Sequence, residues 1–383
     1  MKRILLFISG LIISQLLLAQ DLKQYNVKDF GATGDGNTDD TKSIQKCLDA
    51  AARQGGRVIF PEGSYKTSGN LFLNYHKNVD IELVGRNATL YPTNKYYYLF
   101  CDNTRVTKEP IGKIKIQGLH IDGSKLPHPQ SYYFDDASCA YGIFLTNLKS
   151  ILIQDCKFSN IYGSAIKLVL MKDINDTTLK TSVIVKNNKI LNCWGLNPTK
   201  DYYDKKNPNK YAYDNYGDGI AIWGYRKAVI DRNYIYNNVA VTKFYGRAGV
   251  VIEHDGENAI ITNNTIYGYD RNIHIEIDKG GHYIANNKFS GSNVGIFFWL
   301  ANNWANRPST IINNTFSYNK EAQRFGLKTI VGDRKYIMFA GKGTTTYQGT
   351  TVKGNTFLNV GNKGSVMMTP KNLRIMSSSN IVK

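Results

Sequence analysis

Two short acidic segments concentrate the reactive side chains of this sequence. Glu253-His254-Asp255 and Glu276-Ile277-Asp278 repeat one pattern, and two glutamates brought side by side would repel each other. Three arrangements relieve that repulsion: a cation such as calcium held by Glu253, Asp255, Glu276 and Asp278, a shared proton, or a basic neighbour such as Arg271. His274 lies between the acids in sequence and titrates near neutral pH, with His254 as the second candidate base. Arg271 could meet a sugar carboxylate in a bidentate contact, and Lys167 and Arg247 could contact carboxylate or sulfate. Asp218 adds a third carboxylate, Tyr245 a proton donor and Tyr216 a sugar contact, while Trp223 and Trp299 bracket the group. These residue types suit either proton abstraction beside a carboxylate or hydrolysis by a pair of acids.

Such residues can act together only if the chain stacks them. One strand pattern recurs as YGIFLT, SAIKLV, DGIAIW, AGVVIE, RNIHIE and VGIFFW. Alternation turns Ile143/Leu145, Ile166/Leu168, Ile220/Ile222, Val250/Ile252, Ile273/Ile275 and Ile296/Phe298 inward. Three outward columns follow. Tyr141, Ser164, Asp218, Ala248, Arg271 and Val294 form the first, and Phe144, Lys167, Ala221, Val251, His274 and Phe297 the second. Thr146, Val169, Trp223, Glu253, Glu276 and Trp299 form the third. His254 falls at inward parity, where strand ends often bend. A second repeat aligns Leu119, Cys156, Asn188, Asn233, Asn264, Asn287, Asn314 and Asn355, a column of asparagines able to hydrogen-bond from one turn to the next. Both repeats have the period of a solenoid turn with variable loops, and the tyrosine- and lysine-rich stretch 196–217 and the basic stretch 319–348 interrupt them.

A solenoid needs its first turn covered. Thr38 or Asp39 can cap a helix running to about Arg53, with Ile44, Leu48, Ala51 and Ala52 on one face. Turn formation and capping account for Asp35, Asp39 and Asp40 better than a metal does. The stretch DFGATGDGNTDDTKSIQ followed by GGRVIFPEGSY closely resembles the N-terminal segment of the pectate-lyase superfamily. That resemblance implies an all-β, right-handed parallel β-helix with an N-terminal capping helix and a carbohydrate polymer as ligand. Lyases, hydrolases, epimerases and phage tail proteins share this opening. Polygalacturonases resemble the chain in scaffold, and Asp218 matches one of their aspartates. Ser164 stands where another is expected, Arg247-Ala248-Gly249 replaces their Gly-His-Gly, and His274-Ile275-Glu276 replaces Arg-x-Lys. In β-helix uronate lyases, which the chain resembles more loosely, acids on neighbouring turns hold calcium and a basic residue takes the C5 proton. The lysine they place shortly after the glutamate is missing, so His274, Arg271 or Tyr245 would substitute.

Composition narrows the partner. Lys2 and Arg3, an apolar run and Ala19-Gln20 mark residues 1–20 as a signal peptide, followed by one domain over 21–383 whose cap covers about 21–65. The protein is therefore expected to be periplasmic or secreted, with no membrane span. Its formal charge of +18 draws anionic partners. Export and the lack of any nucleic-acid motif exclude nucleic acid and leave an acidic polysaccharide, bound by a monomer. Five cysteines without zinc spacing read as buried thiols, with one disulfide possible. The expected reaction is β-elimination on a uronate-containing polymer, pectin-like or glycosaminoglycan-like. Alternatives are an inverting hydrolase using two of Asp218, Glu253 and Glu276, a C5 epimerase, and a non-catalytic glycan-binding protein or adhesin.

Overall fold

The computed structural model describes residues 22–75, 78–94, 98–102, 111–127, 140–170, 181–194, 197–198, 217–242, 244–300, 306–317, 335–341, 347–359 and 366–383. The signal segment, Tyr216 and most of the two irregular stretches lie outside these residues. Among the described residues, three parallel sheets have 12, 12 and 10 strands, each strand pairing with the equivalent strand one turn away, and the short strand Asn197–Pro198 adds antiparallel to the third sheet. This is the right-handed parallel β-helix that the family resemblance implied, with the turns that the repeats marked. Among the described residues no helix is long and apolar enough to cross a membrane.

The core is a column of aliphatic residues. Ile143, Ile166, Ile220, Val250, Ile273 and Ile296 are fully buried, and Leu145, Leu168, Ile222, Ile252, Ile275 and Phe298 continue the same stack. The helix Thr41–Gln54 covers the first turn with Ile44, Cys47, Leu48, Ala51 and Ala52. Its N-cap is Asp40, one or two positions later than predicted, and the Asp40 side chain does not cap it. That carboxylate instead takes the N–H groups of Thr33 at 2.7 Å and Gly34 at 3.0 Å, so the DGNTDD acids are spent on turns.

The asparagine column sets the repeat distance. Asn188, Asn233, Asn264, Asn287, Asn314 and Asn355 each donate Nδ2 to Oδ1 of the next residue at 2.9–3.1 Å, and Asn380 extends the ladder one turn beyond the sequence reading. The residue before each ladder position is left-handed: Asn187, Arg232, Asn263, Asn286 and Asn313 have φ between 53° and 57°. Short polar side chains tolerate that conformation best, which explains the Asn-Asn doublets in the repeat. Cys156 enters the ladder through its N–H, 3.0 Å from Asn188 Oδ1. Cys47, Cys156 and Cys193 are free buried thiols, as expected. Burial pushes each up to about 12, which makes them poor nucleophiles.

Candidate functional site

The third sheet carries the predicted cluster. Its strands Gly163–Val169, Asp218–Trp223, Phe244–Glu253, Tyr269–Glu276 and Val294–Trp299 pair in the predicted register, so Trp223, Glu253, Glu276 and Trp299 are consecutive members of one column. Lys167, Ala221, Val251, His274 and Phe297 form the next. A Cβ at Gly249 would come within 2.3 Å of the Ile266 side chain, so this turn has room there only for glycine. Asn272 stands at the equivalent place one turn on, wholly buried, with Nδ2 on Ser292.

Contrary to an open groove, most of this face is buried. Asp218, Arg247, Glu253, Asp270, Arg271 and His274 are each at most 4% exposed. Taking charge out of water requires pairing, and the cluster supplies it. Arg247 places Nε and Nη2 on the two oxygens of Asp218 at 2.9 and 2.8 Å, and its Nη1 lies 3.1 Å from Glu253 Oε1. Arg247 was expected to bind substrate and instead bridges two buried acids. Arg271 was expected to meet a sugar carboxylate. Its Nη1 instead donates to His274 Nδ1 at 2.9 Å, and its Nε lies 3.6 Å from Asp270, which Asn293 anchors at 2.5 Å.

His274 cannot serve as the base in this arrangement. A guanidinium only donates, so Nδ1 accepts and Nε2 carries the proton. That N–H points at Glu276 Oε2, 2.9 Å away, with Glu253 Oε1 at 3.4 Å. Burial first, and then the charges of Arg271 and Arg247, hold the ring well below the usual histidine range, so it stays neutral. The acid that reaches solvent is Glu276, with a side chain 22% exposed against 5% for Glu253.

The four-carboxylate calcium set is not assembled. Asp255 faces Lys279 at 3.8 Å. Asp278 is enclosed by Gly280 N–H at 2.7 Å, His282 Nε2 at 2.8 Å and the Tyr347 hydroxyl. The metal-ligating atoms that do gather are one each from Glu253, His274 and Glu276, all within 4.8 Å of one another. One of these is the nitrogen already bearing a proton, and calcium prefers six to eight oxygens, so the residues do not fit that ion.

At the rim, His254 is exposed rather than inward, with φ of 49°, and its ring centroid lies 4.4 Å from that of Trp223. Lys167 sets its ammonium 4.1 Å from the Trp223 ring, from the turn on the opposite side. Trp299 pairs with Ala340 on the next turn and stacks on Phe297 with ring centroids 5.9 Å apart. Tyr245 is placed only by its backbone, which pairs with Asn197. Asp270, Asn293 and the Arg247 bridge were missed by the sequence reading. The adjacent Asp-Arg pair at 270–271 was the available signal.

A family model described as "Rhamnogalacturonase A/epimerase, pectate lyase-like" matches residues 24–252, and one described as a right-handed β-helix region matches 218–383. Plasmin and fibronectin-binding protein A of Streptococcus pneumoniae is 31% identical over 164 residues, covering 38% of this chain and 22% of that protein. Alginate lyase 7 of Azotobacter vinelandii is 55% identical over 42 residues, which is 11% of this chain and 5% of that one. The chain thus spans less than a quarter of either curated relative. An exopolygalacturonase from Thermotoga maritima has a similar fold, with a TM-score of 0.58 at 13% identity over 94% of this chain and 91% of that one.

Proposed function

The chain belongs to the rhamnogalacturonase A/epimerase, pectate-lyase-like family, and on that premise we propose that it cleaves a uronate-containing polysaccharide by β-elimination, with Glu276 as the base. One observation supports this above the rest: Glu276 is the accessible carboxylate of the cluster and receives the His274 N–H at 2.9 Å. A hydrogen bond donated to a carboxylate favours its ionised form, which is the form that takes a proton. In the step, Glu276 removes the C5 proton, the C5–H electrons form the C4–C5 double bond, and the C4–O4 bond breaks. Water supplies the proton that O4 needs.

The acids Asp218, Glu253, Asp270 and Glu276 outnumber Arg247 and Arg271 in this cluster. A reacting uronate must therefore bring its own neutralisation, as an ester or with a cation carried by the polymer. Lys167, expected to contact sugar, is instead buried with its ammonium against Trp223, so the overall charge of +18 serves the acidic groups of neighbouring sugars. Pectins of high and low esterification, alginate and chondroitin, each incubated with and without chelator, test the proposal. An absorbing unsaturated uronide is expected, with the esterified pectin the best substrate.

Hydrolysis is the second reading, and the same surplus of acid favours it, because a cationic transition state would be stabilised there. Glu253 and Glu276, with ligand atoms within 4.8 Å, stand too close for the separation of about 6.5–9.5 Å that an inverting pair needs. Asp218 is tied to Arg247. A hydrolase here would accordingly retain configuration. New reducing ends without the chromophore would decide for it.

A further inference from the structure

The imidazole of His274 is the best-anchored group in the cluster, yet the elimination step gives it no proton to move. We propose that Arg271 is a positioning residue that fixes His274 as the Nε2–H tautomer and, through that N–H, aims the Glu276 carboxylate. This rests on the reading of Glu276 as the base.

The contacts leave one consistent proton arrangement. Arg271 Nη1 is 2.9 Å from Nδ1 and has no acceptor of its own, so the Nδ1 lone pair is occupied. A neutral imidazole then carries its hydrogen on Nε2, where Glu276 Oε2 lies at 2.9 Å and Glu253 Oε1 at 3.4 Å. Every group around the ring agrees with this. Arg247 and Glu253 face it from the preceding strand, and Arg271 and Glu276 from its own. Phe297 stacks on it from the following strand at 5.4 Å. Protonating Nδ1 would set an N–H against the guanidinium N–H. Arg271 is itself fixed by Asp270, by Asn293 behind Asp270, and by the Phe297 ring 5.0 Å from its Cζ. The series Asn293, Asp270, Arg271, His274, Glu276 thus runs from a half-buried anchor through three buried groups to the carboxylate that meets solvent.

Long-range proton–nitrogen NMR on protein labelled with ¹⁵N-histidine reads the tautomer directly, with His274→Asn assigning the signal among the six histidines. Wild type is expected to show Nε2–H and no titration of this ring between about pH 5 and 8. In Arg271→Met the Nδ1 lone pair is released, so the ring should lose its single tautomer and show Nδ1–H as well, while burial and Arg247 still hold it below its ordinary range. Turnover should fall about 10- to 100-fold with KM changed less than about threefold, and Arg271→Lys should recover much of it. If Arg271→Met does not fold, the wild-type spectrum and Arg271→Lys decide. A wild-type ring protonated at Nδ1, or one titrating near neutral pH, overturns the proposal, as does an Arg271→Met protein with an unchanged tautomer. Because the NMR needs no turnover, a fixed Nε2–H tautomer without unsaturated product would sink the elimination reading and leave this one standing.

Discussion

Asn264 lies in the turn that joins Glu253 to Glu276, and replacing it by alanine should loosen the step between the two. Four hydrogen bonds disappear in Asn264→Ala. Nδ2 no longer reaches Ile230 O at 2.9 Å or Asn287 Oδ1 at 3.0 Å, and Oδ1 no longer accepts from Asn233 N at 2.9 Å or Nδ2 at 3.0 Å. At about 1 kcal/mol each, with the Asn233 N–H and Ile230 carbonyl left buried and unpaired, the cost is about 4–5 kcal/mol. The last member of the ladder gives the control. Asn380 also makes four bonds, donating to Val352 O and Ser377 Oγ at 2.9 Å and accepting from Asn355 N at 2.9 Å and Nδ2 at 3.1 Å, but in a setting that water reaches and can repair, so Asn380→Ala should cost less, about 1–2 kcal/mol. Urea unfolding of the two variants and wild type measures both, with the midpoint falling at unchanged slope. Equal losses, or less than about 2 kcal/mol for Asn264→Ala, would refute the view that the buried ladder holds the walls in register.

Three further outcomes follow from the same contacts. Glu276→Gln should lower turnover by about 10²- to 10⁴-fold with an unchanged unfolding midpoint, and a loss under about tenfold removes Glu276 as the base. Arg247→Met leaves Asp218 and Glu253 buried without their shared cation and should cost about 3–5 kcal/mol in chemical denaturation; a cost under about 1 kcal/mol would mean the bridge is slack. Burial alone would raise the Asp39 carboxyl, but hydrogen bonds from Ser68 and Thr41 outweigh it and bring it down to about 2 from 3.8. Its folded value is depressed, so its contribution is complete above pH 3.8 and is lost as pH falls toward 2, which NMR titration of the Asp39 carboxyl and amide exchange across the first helical turn should show.

The architecture was legible because its determinants are local and repeated. Period-two alternation in strands such as DGIAIW and RNIHIE fixes which residues face the core, and one residue of slip would invert every assignment. The asparagine column was legible for the same reason. Pairing was not. Sequence places Arg271 and His274 on the right face and offers Arg247 as a substrate contact, but does not say that the guanidinium groups turn sideways to Nδ1 and Asp218 rather than outward to a ligand. That choice depends on burial, which a strand pattern does not carry. The calcium set failed at the strand ends: His254 and Ile277 both turn left-handed, with φ of 49° and 50°, so the residue after each leaves the column that holds the glutamate.

The burial of the cluster also decides how its variants combine. Asp218, Arg247, Glu253, His274, Glu276 and Arg271 form one connected set: Arg247 joins Asp218 to Glu253, and His274 joins Glu253, Glu276 and Arg271, each contact being 3.4 Å or less. Removing Arg247 strands two acids, and removing Asp218 or Glu253 leaves part of Arg247 unpaired, so single substitutions at these buried members report the cost of the orphan as well as the lost contact. Arg247→Met with Glu253→Gln should therefore cost less than the sum of the two alone. Glu276, with water on one side, can lose its charge with little structural penalty. A carboxylate whose removal abolishes turnover but spares stability is the one the substrate meets, and among these acids only Glu276 has the exposure for that result.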